Sequence, residues 1–336
     1  MAKRKNTKKT NKYYIGVDLG GTKLLAVLFD ERFRPVICVK ERVEVNRGEK
    51  VFFDLLVHTI YSLLEEAEVN RKQVRAIGMG CPGMLQNPAG AVKLCPNISF
   101  LKEYPLRMKL ERRFKIPVRL ENDVNAGLLG EQQFGAARGY DNVFGIFLGT
   151  GVGGAIVING ELYTGATGGA GEIGHTFLGV PSILEGRDSF PTVESMTGRL
   201  RIASEAGLLT LKQKAKALYR DVGNDIKRIK SKALLRSIQK GDTAVDELIF
   251  NKAQIVGIAM ANVVNLLNPQ MIVLGGGLME AMGSYILPVA RDTMKFHAMP
   301  PLVKGVRVVA SELGDEAVAY GGAWLAQQAY YDRKRS

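Results

Sequence analysis

Two glycine-containing turns, each between two apolar and β-branched runs, are the segments of this sequence best suited to chemistry. The first follows Asp18 and contains Gly20, Gly21, Thr22 and Lys23. The second contains Gly149, Thr150 and Gly151. Glycine and threonine leave backbone N–H groups uncovered and add a hydroxyl, a combination that suits phosphate oxygens. Two strand–turn–strand segments of this kind predict two similar halves that bind one nucleotide.

Two common phosphate-binding motifs match the residue pattern of these turns, but the elements predicted to follow the turns are not those that the motifs require. Residues 149–154 read G-x-G-x-x-G, yet a dinucleotide fold needs a helix next and an apolar strand follows here. Residues 16–21 have P-loop spacing but also continue into a strand. A nucleotide between two hairpins fits better, with Asp18 reaching Mg²⁺ directly or through its waters. The same nucleotide would approach a third glycine segment, Gly275, Gly276 and Gly277.

Asp123 is the candidate general base. It follows a predicted strand, lies at the start of a predicted helix and has Asn122 beside it. Phosphoryl transfer requires the protein to position the alcohol, accept its proton and screen charge. A carboxylate near the hydroxyl is the usual proton acceptor. Taken alone, however, Asp123 is better explained as a helix cap.

Three further residues could hold a ligand that carries many hydroxyl groups. Glu172 and His175 are three positions apart in a glycine-flanked segment, and Glu194 follows after a loop. Carboxylates and an imidazole form the paired hydrogen bonds that such a ligand needs. A metal site is the alternative, but one histidine with two acids and no nearby cysteine indicates it only weakly.

Composition excludes several classes of protein. The 336 residues are 46% apolar, enough for two domains, and no apolar run approaches the roughly 18 residues of a membrane span. Three cysteines are too few for a disulfide framework, and a reducing cytoplasm fits best. Of the net charge of +13, residues 1–12 carry +6 and residues 211–240 carry +8, so the rest of the chain is nearly neutral at −1. We interpret the first as a disordered leader and the second as a solvated helical face, with polyanion binding as the alternative.

The order of predicted elements indicates an α/β protein. Strands are expected at 13–18, 24–30 and 36–44, a helix at 51–68, and an irregular glycine-rich segment at 160–198. The expected domains are a basic tail at 1–12, an N-terminal α/β domain at 13–122 and a larger C-terminal α/β domain at 123–314. A closing helix at about 315–330 is expected to return to the N-terminal domain.

Taken together, the motifs resemble those of the ROK family (repressors, open reading frames and sugar kinases), within the actin-like ATPase superfamily. The matches occur in family order over about residues 13–328. They are residues 18–23, 81–83, 122–123, 148–154, 171–175 and 274–277. The resemblance implies a two-domain α/β fold of the actin-like ATPase (ribonuclease H-like) type, with a cleft between the domains that closes around sugar and nucleotide.

The resemblance also implies a role for each matching residue. Asp123 would deprotonate the sugar hydroxyl, and the adenosine would lie near Gly275–Gly277. The phosphates of ATP would rest on the turns at 20–23 and 149–151, with Mg²⁺ at Asp18. The sugar would be held by Asn122, Glu172, His175, Glu194 and Gly83.

This sequence departs from the family pattern in two places, which concern the structural zinc and DNA binding. Many members bind a structural zinc through a histidine at position 175 and three cysteines shortly after it, but residues 177–193 contain no cysteine. No structural zinc is therefore expected, and Glu194, aligned across an altered loop, is the least secure sugar ligand. Family repressors carry a helix-turn-helix ahead of the first glycine turn, where this sequence has about a dozen polar and basic residues. Sequence-specific DNA binding is therefore not expected.

The sequence thus predicts a cytoplasmic, ATP- and Mg²⁺-dependent hexose kinase that phosphorylates the 6-hydroxyl of glucose. N-acetylmannosamine or another hexose is the alternative substrate, and a non-catalytic sugar sensor is the alternative class. Polyphosphate remains open as a second phosphoryl donor. The family suggests a homodimer, for which the sequence gives no independent sign.

Overall fold

The computed structural model describes residues 12–86, 91–95, 98–179 and 190–335. The chain divides into two compact units. The first comprises Met1–Gly130 and Glu316–Ser336, and the second comprises Glu131–Asp315. The predicted tail at 1–12 therefore lies, except for its last residue, outside the described residues.

The described residues form strands and helices that alternate along the chain. The strands are β1 Tyr13–Leu19, β2 Lys23–Asp30, β3 Pro35–Arg42, β4 Val74–Cys81, β5 Met84–Gln86, β6 Ala91–Leu94, β7 Val118–Asn122, β8 Val143–Leu148, β9 Val152–Ile158, β10 Glu161–Leu162, β11 Met271–Gly275 and β12 Arg307–Ala310. The α-helices are α1 Glu49–Glu66, α2 Leu106–Phe114, α3 Asp123–Phe134, α4 Val193–Thr197, α5 Arg199–Leu211, α6 Lys216–Val222, α7 Ser231–Gln239, α8 Thr243–Leu267, α9 Gly277–His297, α10 Pro300–Val303 and α11 Ala317–Arg335.

Each unit is built on a five-stranded sheet of the same design. The strand order is β3-β2-β1-β4-β7 in the first unit and β10-β9-β8-β11-β12 in the second. In both sheets each of the first three strands in this order is antiparallel to its neighbour. The third, fourth and fifth strands are parallel to one another. The two similar halves predicted from the repeated turns are therefore confirmed.

The sheet of the first unit is covered by helices on both faces. Its strands read as continuous apolar runs because alternate residues enter different cores. Ile15, Val17 and Leu28 belong to the core that also contains the apolar side of α1, including Phe52, Leu56 and Ile60. Tyr14, Val27, Phe29 and Ala76 face the other way and pack against Ala319, Ala323 and Ala326 of α11.

Helix α11 approaches this sheet so closely that only glycine fits at the crossing points. A Cβ atom on Gly16 would overlap with the carbonyl oxygen of Ala319, and one on Gly78 would overlap with that of Gly322. The helix that follows the second unit therefore completes the core of the first. The division between the units falls after Gly130, within α3, rather than after residue 122, so Asp123 belongs to the first unit.

The second unit is mostly helical outside its sheet. Helices α8 and α9 pack together in its core, where Val256, Met260, Met282 and Ile286 are buried. By length and composition α8 could cross a membrane, with a mean hydropathy of 1.2 over its most apolar window. Half of that window is buried inside the protein, as is typical of a core helix. Asp246, Glu247 and Lys252 interrupt the apolar residues of α8, so this helix does not contradict the prediction that no continuous apolar run approaches the length of a membrane span.

The structure also departs from the sequence-based elements in two places. The hairpin β5–β6 was not predicted, and the segment predicted to be irregular at 160–198 contains β10, a 3₁₀ turn at Ile173–His175 and α4. The basic segment 211–240 is helical in α6 and α7, with its lysine and arginine side chains exposed and Leu218 and Leu234 buried.

Candidate active site

The turn between β1 and β2 is tight and exposes backbone N–H groups. The N–H of Gly20 donates to the carbonyl oxygen of Lys23 at 2.8 Å, and Thr22 accepts a bond from the N–H of Val43 at 3.1 Å. Within the described residues, the N–H groups of Gly21 and Thr22 have no hydrogen-bond acceptor. These two donors are available for an anionic ligand.

Asp18 and Asn122 lie at the same edge of the first sheet. Asp18 is paired in register with Gly80 of β4, and Cys81 at the end of β4 is paired with Asn122 at the end of β7. Since β1, β4 and β7 are parallel, their carboxyl ends meet at this edge. Ligands of open α/β sheets bind at such an edge.

The side chain of Asn122 organises the start of α3. Its Oδ1 accepts bonds from the N–H groups of Val124 at 2.9 Å and Asn125 at 3.1 Å. Its Nδ2 donates to the carbonyl oxygen of Gly83 at 3.0 Å, where Gly83 adopts a φ of 96°. Asn122 is therefore the residue that caps the helix, and the interpretation of Asp123 as the cap is wrong.

Asp123 is the first residue of α3 and lies directly against β4. A Cβ on Gly80 would be 3.2 Å from the Cα of Asp123, so the absence of a side chain there permits the approach. One carboxylate oxygen of Asp123 accepts the N–H of Val124 at 3.0 Å. Burial, then the neighbouring Cys95 and Asp123, raise the pKa of the Cys81 thiol well above its usual value. Cys81 therefore stays neutral and adds no second negative charge beside Asp123.

Glu121 supports this corner, and its role was missed in the sequence. Its side chain is buried, and Oε1 accepts bonds from the N–H of Asn122 and the Nδ2 of Asn125, both at 3.0 Å. A single glutamate near the end of a strand matches no motif, so the sequence did not indicate that Glu121 bonds to Asn122 and Asn125. The bonds fix the peptide between Glu121 and Asn122 and hence the direction in which Asp123 leaves the strand.

In the second unit, the turn between β8 and β9 repeats the design of the first. The N–H of Gly149 donates to the carbonyl oxygen of Gly151 at 2.9 Å. Arg199, the first residue of α5, donates from its backbone to Gly149 at 3.2 Å and from Nη2 to Oγ1 of Thr150 at 3.2 Å. Arg199 was not predicted from the sequence, because nothing in its spacing connects it with residue 150.

Glu194 lies against this turn. Its Oε2 accepts the N–H of Val152 at 2.8 Å, and a Cβ on Gly151 would overlap with the same oxygen. The predicted sugar ligand therefore has one carboxylate oxygen bonded to the turn predicted to bind phosphate. A sugar contact by Glu194 stays a prediction.

Glu172 and His175 flank a single turn of 3₁₀ helix. Ile173 and Gly174 between them are buried, whereas both predicted ligands are exposed. The N–H of His175, the last residue of the turn, donates to the carbonyl oxygen of Glu172, the residue before it, at 3.1 Å, so the turn brings the backbones of the two predicted ligands together. Glycines permit this turn to pack on β9, since a Cβ on Gly174 would overlap with the carbonyl oxygen of Val152.

The third glycine segment lies beside the second turn. Gly275 ends β11, Gly276 has a φ of 88°, and Gly277 begins the 21-residue helix α9. A Cβ on Gly276 would be 2.6 Å from the carbonyl oxygen of Leu148, the residue before the turn at 149–151. A Cβ on Gly277 would meet nothing within 4 Å. The structure thus brings the two predicted nucleotide-binding segments of this unit together.

The described residues contain no group of three or more histidine, cysteine, aspartate or glutamate side chains placed to hold a metal ion. The stretch in which the family's zinc cysteines would occur overlaps residues 180–189, outside the described residues, so the absence of zinc stays a prediction from sequence.

A magnesium ion carried by nucleotide phosphates needs fewer protein ligands than a structural zinc. It is commonly held by one or two carboxylates with phosphate and water oxygens. The half-buried Asp18 fits that requirement.

The fold and motifs can be compared with known proteins. A glucokinase of Halalkalibacterium halodurans is 32% identical over 325 residues, which cover 95% of this chain and 96% of that protein. A xylose repressor of Caldicellulosiruptor bescii is 28% identical, and the match covers 91% of this chain but 76% of the repressor. The structure of a ROK family glucokinase from Streptomyces griseus, in complex with glucose and AMPPNP, aligns with a TM-score of 0.79 at 28% identity. The alignment covers 94% of this chain and 99% of that one.

The fold is therefore that of the two-domain actin-like ATPases, as predicted. The ROK family model matches residues 14–329, and the chain belongs to the ROK family. The resemblance to the family's glucokinase-like sugar kinases is confirmed.

Proposed function

We propose that the protein is an ATP-dependent hexose kinase that transfers the γ-phosphoryl group to the 6-hydroxyl of glucose. The observation that carries the proposal is the pair of glycine turns at equivalent positions of two sheets of identical order, together with Asp123 at the end of β7. Glucose is favoured because the glucokinase of H. halodurans matches over nearly its whole length.

Asp123 acts as the general base in this proposal. Its carboxylate accepts the proton of the 6-hydroxyl as that oxygen forms a bond to the γ-phosphorus and the bond to the β-phosphate oxygen breaks. Asn122 and Glu121 hold the start of α3 so that the carboxylate keeps its direction. When bound, Mg-ATP supplies the phosphoryl group and a metal charge that screens it.

The phosphate-binding roles fall to the turns of the two units. The N–H groups of Gly21 and Thr22 would donate to phosphate oxygens, with Lys23 beside them and Asp18 as the carboxylate for Mg²⁺. The turn at Gly149, Thr150 and Gly151 would contribute further donors, and Gly275–Gly277 the surface for the adenosine. Gly277 supports this assignment because no atom would obstruct a group that lies against it.

The sugar-binding roles fall to polar side chains of both units. Asn122 and Gly83 are joined by a hydrogen bond, and the backbones of Glu172 and His175 are bonded across one 3₁₀ turn. Carboxylate and imidazole groups can pair with adjacent hydroxyls, and each ligand hydroxyl is both donor and acceptor. These contacts would serve glucose and N-acetylmannosamine alike, so another hexose is the second candidate.

A non-catalytic sugar sensor is the second candidate class, because a ROK xylose repressor also matches. Glucokinase activity is preferred since Asp18 and Asp123 are both present. A homodimeric state and a cytoplasmic location are parts of the proposal inferred from the family resemblance and the composition, and polyphosphate stays an alternative donor, which the basic segment 211–240 would tolerate.

Replacing Arg199 with Gln is expected to raise the KM for ATP several-fold, with the KM for sugar nearly unchanged. The guanidinium contacts Thr150 in the proposed phosphate turn, so its loss would leave that turn less ordered and less positive. The matched control is Arg201→Gln, on the same helix, whose side chain bonds Glu205 instead. Steady-state kinetics of both variants decide the point, and equal ATP KM values for the two would contradict it.

The proposed function is tested by hexose-dependent ADP release from Mg-ATP, with glucose, mannose, fructose, N-acetylglucosamine and N-acetylmannosamine as acceptors. We expect the highest kcat/KM with glucose. Preference for another hexose would correct the substrate and keep the class. Sugar binding without ADP release from ATP, and without sugar phosphate formed from polyphosphate, would favour the sensor.

A further inference from the structure

A strongly basic pocket lies in the first unit, away from the residues discussed so far. It has a volume of about 450 Å³. Six cationic side chains line it: Arg71, Lys72, Arg75, Lys115, Arg333 and Lys334. No acidic residue is among the described residues that line it, although Asp332 directly precedes Arg333 in the chain.

The pocket lies at the opposite edge of the sheet from Asp123. Residues 71–75 lead into or begin β4, and residues 115–117 lead into β7. Asp123 follows the carboxyl end of β7, and Gly83 follows that of β4. Because the eight residues of β4 rise about 3.3 Å each, the two ends of this strand are about 23 Å apart. The pocket is therefore separate from the proposed catalytic residues.

The cations come from three distant segments of the chain that the fold brings together. The side chain of Arg71 is held by a hydrogen bond to the carbonyl oxygen of Phe114. Lys115 adopts a left-handed backbone conformation with a φ of 54°, which ends α2 and turns the chain into β7. The end of α11 supplies Arg333 and Lys334. The sequence shows Arg71-Lys72 and Arg333-Lys334 only as separate short basic pairs, and the fold shows that they meet.

Two features of the pocket point to a ligand rather than to solvated charges alone. The Nε of Arg75 is buried and has no hydrogen-bond partner among the described residues. A buried donor without a partner is costly, so a movement of the Arg75 side chain that brings this donor to a bound anion would be favourable. The second feature is Tyr330, which lines the pocket with the guanidinium of Arg75 5.6 Å and the ammonium of Lys334 4.8 Å from its ring centroid.

The pKa of the Tyr330 phenol is affected by the same cations. A hydrogen bond from Lys334 lowers the pKa of the Tyr330 phenol, burial opposes this, and the positive charges of Arg75, Lys334 and Lys12 lower it further. The cations therefore create a positive potential strong enough to act on a neighbouring side chain. Like charges this close repel one another, and a bound polyanion removes that repulsion.

We propose that this pocket binds a small anion with two or more phosphate groups, such as an oligophosphate or a multiply phosphorylated metabolite. Six cationic side chains around one open pocket can pair with several phosphate oxygens at once, whereas a single phosphate would leave most of them unpaired. A nucleic acid fits less well, because single-strand binding uses an extended groove with several stacked aromatic rings and this pocket has one ring.

The test is calorimetric titration of tripolyphosphate, pyrophosphate and inorganic phosphate into the full-length protein. The pocket variant is Lys115→Asn, Arg333→Gln and Lys334→Gln combined, since Asn tolerates the left-handed conformation. The matched control is Lys212→Gln, Lys214→Gln and Lys232→Gln combined, which removes the same charge from exposed positions in the second unit. Thermal unfolding of each variant confirms that it is folded.

We expect tripolyphosphate to bind the wild type more tightly than pyrophosphate, and phosphate most weakly. The pocket variant should lose a binding event or bind it about tenfold or more weakly, while the control keeps it. Arg75→Gln alone should weaken the same event. Equal binding by the wild type and the pocket variant would overturn the proposal, as would an equal loss in the control. Tighter binding of an RNA oligonucleotide, lost in the pocket variant, would overturn the choice of a small anion.

The inference is independent of the proposed kinase activity, because the readout is binding. If the proposed function is correct, the pocket variant should retain hexose-dependent ADP release in the absence of added polyphosphates. If the protein proves to be a sensor, the titrations still test whether the basic pocket binds a polyanion. A failure of one proposal is therefore distinguishable from a failure of the other.

Discussion

Replacing Asp123 with Asn is expected to lower kcat by about 10²–10⁴-fold, while the KM for the hexose changes little. The amide keeps the size of the side chain and its bond to the N–H of Val124, but it cannot accept the proton of the attacking hydroxyl. A loss in kcat and in kcat/KM of the same size identifies an interaction made in the transition state. Steady-state kinetics with saturating ATP measure this split.

The matched control for this variant is Asp54→Asn. Asp54 is an exposed carboxylate on α1 of the same unit, so the two changes remove equal charge. The control should retain normal turnover. Near-normal kcat in the Asp123 variant would show that another group accepts the proton, and comparable losses in both variants would point to a general effect of charge.

Replacing Gly78 with Ala is expected to destabilise the first unit by about 3 kcal/mol or more, at the upper end for overpacked cores. A Cβ at this position would overlap with the carbonyl oxygen of Gly322 and would lie 2.6 Å from its carbonyl carbon. Both atoms are backbone, so no side-chain rotation can relieve the overlap, and α11 must move away from the sheet. Urea unfolding followed by the fluorescence of Trp324, the single tryptophan and a residue of α11, measures the effect.

The matched control for the stability experiment is Gly283→Ala in α9. Only the flexible end of Met279 approaches a Cβ there, at 3.4 Å. Alanine in a helix is favoured over glycine by about 1 kcal/mol, so this variant should be unchanged or slightly more stable. An unfolding midpoint for the Gly78 variant equal to that of the control would contradict the close approach of α11.

The sequence predicted the parts of the fold that depend on local patterns. The strands β1, β2, β8 and β9 are apolar runs joined by glycine turns, and such runs are visible without knowledge of the fold. The position of Asp123 was also predictable, since it follows a strand and begins a helix. Which residue caps α3 was not predictable, because either Asn122 or Asp123 could do so. Only the geometry shows that Asn122 caps the helix.

Contacts between distant segments could not be predicted from one sequence. Glu194 follows the turn at 149–151 by more than forty residues, and its bond to Val152 depends on how α4 packs. Arg199 reaches Thr150 only because α5 begins beside the turn. The hairpin β5–β6 is short, with weak apolar alternation, so the pattern did not distinguish it from a loop.

The order in which the chain is made has a consequence for the first unit. Its sheet comes early in the sequence, but α11, which covers one face, is translated only after the whole second unit. At typical rates of 5–20 residues per second, the intervening residues 131–315 take roughly 10–40 s to synthesise. During that interval the apolar face formed by Tyr14, Val27, Phe29 and Ala76 lacks its covering helix. The nascent chain thus lacks the cover for an apolar face that is buried in the finished protein, and this face is exposed to aggregation during synthesis.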